Sequence, residues 1–474
     1  MEFTKEFDGI RWEIVYGSYT GMEKRAVELV HGTLRAEVPY VPQVLTAPTG
    51  NADVIYIGTA ESNPFVREKL GDVVLSGNES RVSVGKDGDR QFILIAGGDP
   101  SAVFYAAVEL VDDYLPAARR KPVGHPFFRS LFCGTELPAY EHSSRPTIRD
   151  RGIWTWGHVI YDYRSYLKNM ARLKLNKITV WNDFPPVNAK EFVECAHSWG
   201  IRVVWGYSWG WDQHSDRTEP EPIGVWTERI RKVYREDYAP LGGDGIYFQT
   251  PFTETSEQSL DGKSRARRAV DWVNPISEAL LSEFPDLKIE FGLHASSVKN
   301  ELPVIAETDD RVAITWEDCG AFPYAYGAQN MANAEGTLLF TEEIAKLRGG
   351  NGFGVVFKGQ TWLDWGHFEH QYGPFVLGES SEEEIAEKTP MRKDIIRYQQ
   401  GYWMQNGDYA RKTFAKIAEL TEGEADLEVL LEDGMFDRHI WLPAALFAEM
   451  LWNPETPFEA LLGKVTRRPC VECV

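Results

Sequence analysis

Seven short apolar runs between Gly152 and Trp362, each followed by an amphipathic stretch, constrain this chain more than any other feature. They are Gly152–His158 (GIWTWGH), Lys177–Asp183 (KITVWND), Ile201–Trp211 (IRVVWGYSWGW), Asp244–Thr250 (DGIYFQT), Lys288–His294 (KIEFGLH), Val312–Asp318 (VAITWED) and Gly354–Trp362 (GVVFKGQTW). Between the first two lies Asp162–Asn176, with Tyr166, Leu167, Met170, Leu173 and Leu175 available to one broad helical face. Strand–helix alternation of this kind implies parallel strands covered on both sides. The expected fold class is therefore α/β, a (β/α)8 barrel of the TIM type, with its eighth strand near Arg438–Leu442. A doubly wound open sheet is the alternative. The barrel is preferred because polar or aromatic residues follow each strand and no nucleotide-binding fingerprint is present.

Upstream, residues 1–125 alternate strands and helices and read as a small α/β accessory domain. In Gln91–Leu115 a strand meets Gly97-Gly98, Asp99 offers a helix cap and Pro100 suits the first helical position. The glycine pair lacks the further glycines and Lys of a phosphate loop and reads as a tight turn. Residues 126–148, rich in Pro, Arg, His and Ser, are expected to be a linker. The barrel is placed at 149–385, and 386–474 is a helical part that closes the barrel or packs on it.

In such barrels the chemistry gathers at the C-terminal ends of the strands. Those ends carry Trp156 and His158; Trp181, Asn182 and Asp183; Trp209 and Trp211; Glu254; His294; Trp316, Glu317 and Asp318; and Lys358 and Trp362. Paired carboxylates in an aromatic-walled pocket suit glycosidic bond cleavage, one donating a proton to the leaving oxygen and the other attacking the sugar or activating water. Glu254 is the expected acid, with Phe248 and Phe252 nearby to desolvate it. Glu317 or Asp318 is the expected second carboxylate. The tryptophans are read as sugar-stacking surfaces and His158, Asn182, Asp183, His294 and Lys358 as hydroxyl-binding groups. Core packing is the competing reading of the tryptophans, and an ion pair with Lys358 or Arg311 that of Glu317 or Asp318.

The formal net charge of −21, from 50 Lys and Arg against 71 Asp and Glu, repels phosphate backbones and anionic lipid, so nucleic acid is not an expected partner. No run of eighteen apolar residues is present and the first residues lack a signal-peptide core, so no membrane partner and a cytoplasmic location are expected. Five Cys, with Cys470 and Cys473 in a C-terminal CxxC, do not form a disulfide framework. No cofactor and no metal is expected. A metal-dependent barrel enzyme with His158, Asp183, His294 and Glu317 as ligands, and a non-catalytic carbohydrate-binding protein, are the alternatives.

The small domain carrying IYIGTAESNP, followed by a barrel opening RDRGIWTWGHVIYDYRSYLKNMARLKLNKITVWND, resembles glycoside hydrolases of the β-N-acetylhexosaminidase and α-glucuronidase type. The likeness is one of layout. It implies an N-terminal module supporting the barrel, an exo-acting pocket that cleaves a terminal sugar, and a glutamate acid after the fourth strand, where Glu254 falls. The hexosaminidase pattern has adjacent Asp and Glu at that place, and this chain has Thr253-Glu254. The α-glucuronidase pattern continues its Ser-Glu with Gly-Gln-Pro, and this chain has Thr255-Ser256-Glu257.

Overall fold

The computed structural model describes residues 11–119, 132, 136–182, 184–207, 222–249, 259–260, 262–294, 300–317, 334–348, 352–360, 373–380, 382–431 and 436–474. The chain divides into two compact units.

The first unit comprises residues 1–146 with 198–200 and 466–470. Its strands β1 (Trp12–Tyr16), β2 (Gln43–Leu45), β3 (Asp53–Thr59), β4 (Ser80–Asp87), β5 (Arg90–Gly97) and β6 (Tyr140–Ser144) form one sheet in the order β2-β1-β3-β5-β4-β6. Helices α1 (Gly21–Glu37), α2 (Pro64–Leu70), α3 (Pro100–Val108) and α4 (Leu115–Ala118) complete it. Asp99 caps α3 by accepting from Ala102 N at 2.8 Å, and Pro100 opens the helix. Gly97 and Gly98 lie where an added Cβ would come within 2.6 Å of backbone atoms, those of Ala102 and Val103 at the start of α3 for Gly97 and those of Ser76 and Gly77 for Gly98, so the backbone packs closely on its neighbours there. The segment expected to be a linker supplies β6, which pairs antiparallel with β4, so the first unit extends past residue 125.

The second unit contains a closed barrel of eight parallel strands: β7 (Asp150–Trp156), β8 (Lys177–Trp181), β9 (Arg202–Gly206), β10 (Gly245–Gln249), then, beyond a small antiparallel pair of β11 (Ser259–Leu260) and β12 (Lys263–Ser264), β13 (Ile289–His294), β14 (Val312–Glu317), β15 (Phe353–Gln360) and β16 (Asp426–Leu431). Helices α5 (Tyr163–Arg172), α6 (Ala189–Ser198), α7 (Ile223–Val233), α8 (Arg265–Glu283), α9 (Leu302–Ile305), α10 (Ala334–Ala345), α11 (Glu382–Thr421), α12 (Leu442–Trp452) and α13 (Phe458–Val465) accompany it. Asp162 caps α5 by accepting from Ser165 N at 3.1 Å, and Lys174, at φ 61°, ends the helical path.

The eighth strand is β16, not the segment near Arg438–Leu442. Ile440–Trp441 instead makes a two-residue pairing with Val471–Glu472. The barrel therefore runs past residue 385. β16 alternates in the opposite sense from a surface strand: Asp426 and Glu428 face the barrel interior, while Leu427 and Val429 are buried on its outer side.

The interior is filled in layers, as barrels of this kind require. At the N-terminal base, Lys177 Nζ donates to Glu290 at 2.8 and 2.9 Å, to Glu428 at 3.4 Å and to Asp426, while Thr179 Oγ1 donates to Glu428 at 2.8 Å. Burial alone would lower the Lys177 pKa, but the three carboxylates outweigh it and raise it. Burial pushes Asp426 up to about 6 and raises Glu428 well above the usual range. Above this layer lie Trp154, Trp156, Trp181, Val204, Tyr247, Val356 and Leu430. Inward glycines make room for these rings: a Cβ on Gly206 would lie 2.6 Å from the Trp181 ring.

Candidate active site at the barrel mouth

Period-two alternation along each strand decides which side chains reach the mouth. On β10, Tyr247 and Gln249 point inward, while Ile246 and Phe248 point out. Phe248 stacks on Phe291 with centroids 5.3 Å apart, so it does not desolvate the barrel mouth. On β14, Thr315 and Glu317 point inward and Trp316 outward. Trp316 is fully buried and meets Phe340 of α10 edge-on at 5.5 Å, which removes it from the group expected to stack on sugar.

Glu317, the last residue of β14, is only 3% exposed. Its Oε1 accepts from the Tyr247 hydroxyl and from the Gln249 amide. The Lys358 ammonium lies 3.0 Å from its Oε2. Three donors around one carboxylate, one of them a cation, form the environment of an ion rather than of a proton donor. Burial raises the Tyr247 pKa well above its ordinary value, and the charge of Glu317 adds to the effect, so the phenol keeps its proton and donates it to this bond.

Trp156 and Trp181 do come together, below the rim. Trp154 meets Trp156 edge-on at 4.7 Å and stacks on Trp181 at 5.9 Å, and Tyr247 closes the group at 5.8 Å from Trp154 and 5.6 Å from Trp181. Each of these rings is at most 5% exposed, so they form the floor of the mouth and its core. Asn182 is buried; its amide donates to Phe184 O at 3.4 Å and its backbone N–H to Gly206 O at 3.3 Å. His158 sits in the short helical turn Gly157–Val159 after β7. His294 ends β13 directly across the ladder from Glu317. Asp183, Trp209, Trp211, Glu254, Asp318 and Trp362 lie outside the described residues.

Sequence reasoning missed Tyr247 and Gln249. Both were legible in GIYFQ, where every second residue shares a face and these two are its polar members. On the same side of the barrel, Asp437 accepts from the N–H groups of Tyr161 and Asp162 at 3.2 and 2.8 Å through Oδ1. Its Oδ2 is buried without a hydrogen-bond partner among the described residues, and burial pushes its pKa up to about 7.

Among the described residues, the acids close enough together to share a metal ion are Glu290, Asp426 and Glu428 at the base, and there the Lys177 ammonium already sits between them. No helix among the described residues is long and apolar enough to cross a membrane.

No protein-family model matches the chain, and no curated protein matches it. Solved structures do. The chain is similar to a family GH115 4-O-methyl-alpha-glucuronidase with specificity for decorated arabinogalactans, at TM-score 0.51 and 13% identity, over 94% of this chain and 57% of that one. It is also similar to a GH138 enzyme targeting pectin rhamnogalacturonan II, at TM-score 0.52 and 10% identity, over 94% of this chain and 64% of that one. At these identities the likeness is one of fold. This chain spans less than two thirds of the length of either protein.

Proposed function

We propose that this chain is a glycoside hydrolase that removes a terminal sugar, with Glu317 as its ionised carboxylate and Glu254 as its proton donor. The observation that carries the reading is Glu317 itself, a buried carboxylate at the C-terminal end of a barrel strand, ringed by donors where barrel enzymes do their chemistry. Two solved structures of similar fold, one described as a 4-O-methyl-alpha-glucuronidase and the other as an enzyme targeting pectin rhamnogalacturonan II, add support. Asp318, one residue beyond Glu317, is the other candidate for the second carboxylate.

Division of labour follows from charge. A carboxylate held by Lys358 is suited to attack an anomeric carbon or to take a proton from water, and poorly suited to give one. The same ion pair makes Glu317 a weak choice for a metal ligand, because a divalent ion would have to displace the ammonium. The acid must then come from another strand end, and Glu254 follows β10, which lies two strands from β14 in the barrel. An oligosaccharide or glycoside is the substrate class.

The test is a panel of nitrophenyl glycosides, followed by Glu254→Gln on whichever is cleaved. Turnover is expected to fall on the order of 100-fold or more for poor leaving groups and far less for activated ones, because only the former need protonation. Equal losses on both would remove Glu254 from the acid role. A protein that binds sugars but cleaves no glycoside would instead be the non-catalytic carbohydrate binder.

A further inference from the structure

Between the strand that bears Tyr247 and the strand that bears Glu317 lies a third. The ladder order is β10-β13-β14, so the Tyr247 phenol has to pass over β13 to reach the carboxylate. It crosses at Gly292. A Cβ built on Gly292 would lie 2.6 Å from Tyr247 Cζ and 3.1 Å from Gln249 Cγ, and would overlap the phenol oxygen itself. Gly292 is also the ladder partner of Gln249. The absence of one side chain on β13 thus lets two donors from β10 converge on a carboxylate of β14.

We infer that Tyr247, seated over Gly292, is a positioning residue that fixes the orientation and the ionised state of Glu317 for the reaction. This rests on the glycosidase reading above. Neither Tyr247 nor Gln249 needs to touch substrate for this role. The phenol has no exposed surface, and its ring is held by Trp154 and Trp181 on the other side. A buried ring wedged by its neighbours loses little freedom when its hydroxyl bonds, so the bond fixes Glu317 at small entropic cost. Lys358 balances the charge from the opposite side at 3.0 Å. The carboxylate is thus gripped at both oxygens before any sugar arrives.

Two variants separate this role from mere packing. Tyr247→Phe deletes the hydroxyl and keeps the ring. Gly292→Ala keeps every functional group and pushes the phenol off its bond. Glutamate labelled with ¹³C at the side-chain carboxyl gives the titration of Glu317, identified by its loss in Glu317→Gln. Loss of a donor disfavours the anion, so Glu317 is expected to titrate about 1 pH unit higher in both variants. On the glycoside that the wild-type protein cleaves, the acidic limb of the pH–rate profile should rise by the same interval. kcat at neutral pH should fall on the order of tenfold with KM little changed. Folding is checked by near-ultraviolet circular dichroism. If Gly292→Ala does not fold, Tyr247→Phe carries the test alone.

An unmoved Glu317 titration in folded Tyr247→Phe overturns the inference. So does a titration that moves while the acidic limb and kcat stay put. Failure of the underlying reading looks different: the wild-type protein then cleaves no glycoside while the Glu317 titration still shifts, and the reaction role of Tyr247 falls with it.

Discussion

Trp316 and Glu317 are neighbours in sequence and face opposite sides of the barrel wall, one packed on Phe340 and the other on Tyr247 and Lys358. Adjacent residues of one strand cannot both reach the mouth. The abundance of tryptophan at strand ends was legible in the sequence, but which rings face in depends on that alternation. Trp156 and Trp181 are inward and still nearly sealed, because a barrel interior must be filled before it can present a surface. Lys177 is the clearest single-residue dependence. Lys177→Met would leave Glu290, Asp426 and Glu428 without their ammonium, at an expected cost of about 3–5 kcal/mol at neutral pH. The loss should shrink toward pH 5, where Asp426 and Glu428, both raised by burial, take up protons, as chemical denaturation at the two pH values would measure. Asp437 gives a second dependence. Its folded pKa, about 7, stands above that of the unfolded chain, so between about pH 4 and 7 the folded state binds the extra proton. The contribution is therefore largest at low pH and declines as pH rises through this window. Asp437→Asn, which mimics the neutral acid, should flatten the fall in stability between pH 5.5 and 7.5 by about 1–2 kcal/mol.

At the scale of elements, the seven barrel strands β7–β10 and β13–β15 were readable to within a few residues. β16 was not. Its inward Asp426 and Glu428 serve the Lys177 cage, and a strand that buries acids while showing leucine and valine to helices reads like a piece of amphipathic helix. The long α11 that precedes it and α12 that follows it strengthen that impression. The β6 strand was hidden for a different reason: Tyr140–Ser144 is polar and largely exposed, an edge strand with little hydrophobic signal. A chain cut to residues 147–385 lacks β16 and leaves β7 and β15 as open edges. It should aggregate on expression, whereas 147–474 should stay soluble. Size-exclusion chromatography of the two decides it.

Across the whole molecule, the barrel class was within reach of the sequence, because seven repeats of one pattern leave few architectures. The ring of donors around Glu317 was not, since it needs Tyr247 and Gln249 of β10 and Lys358 of β15 to converge on the end of β14. Closure has the same long reach. Asp150–Trp154 of β7 pair with Asp426–Leu430 of β16, the first strand with the last. Such distant pairing makes ring formation slow relative to local helix formation. Synthesis from the N-terminus therefore completes seven barrel strands before the eighth exists. Until then Lys177 has Glu290 but neither Asp426 nor Glu428, and two rows of backbone amides wait for partners. For a growing chain of this design, the interval before its final strand emerges is when a chaperone has most to protect.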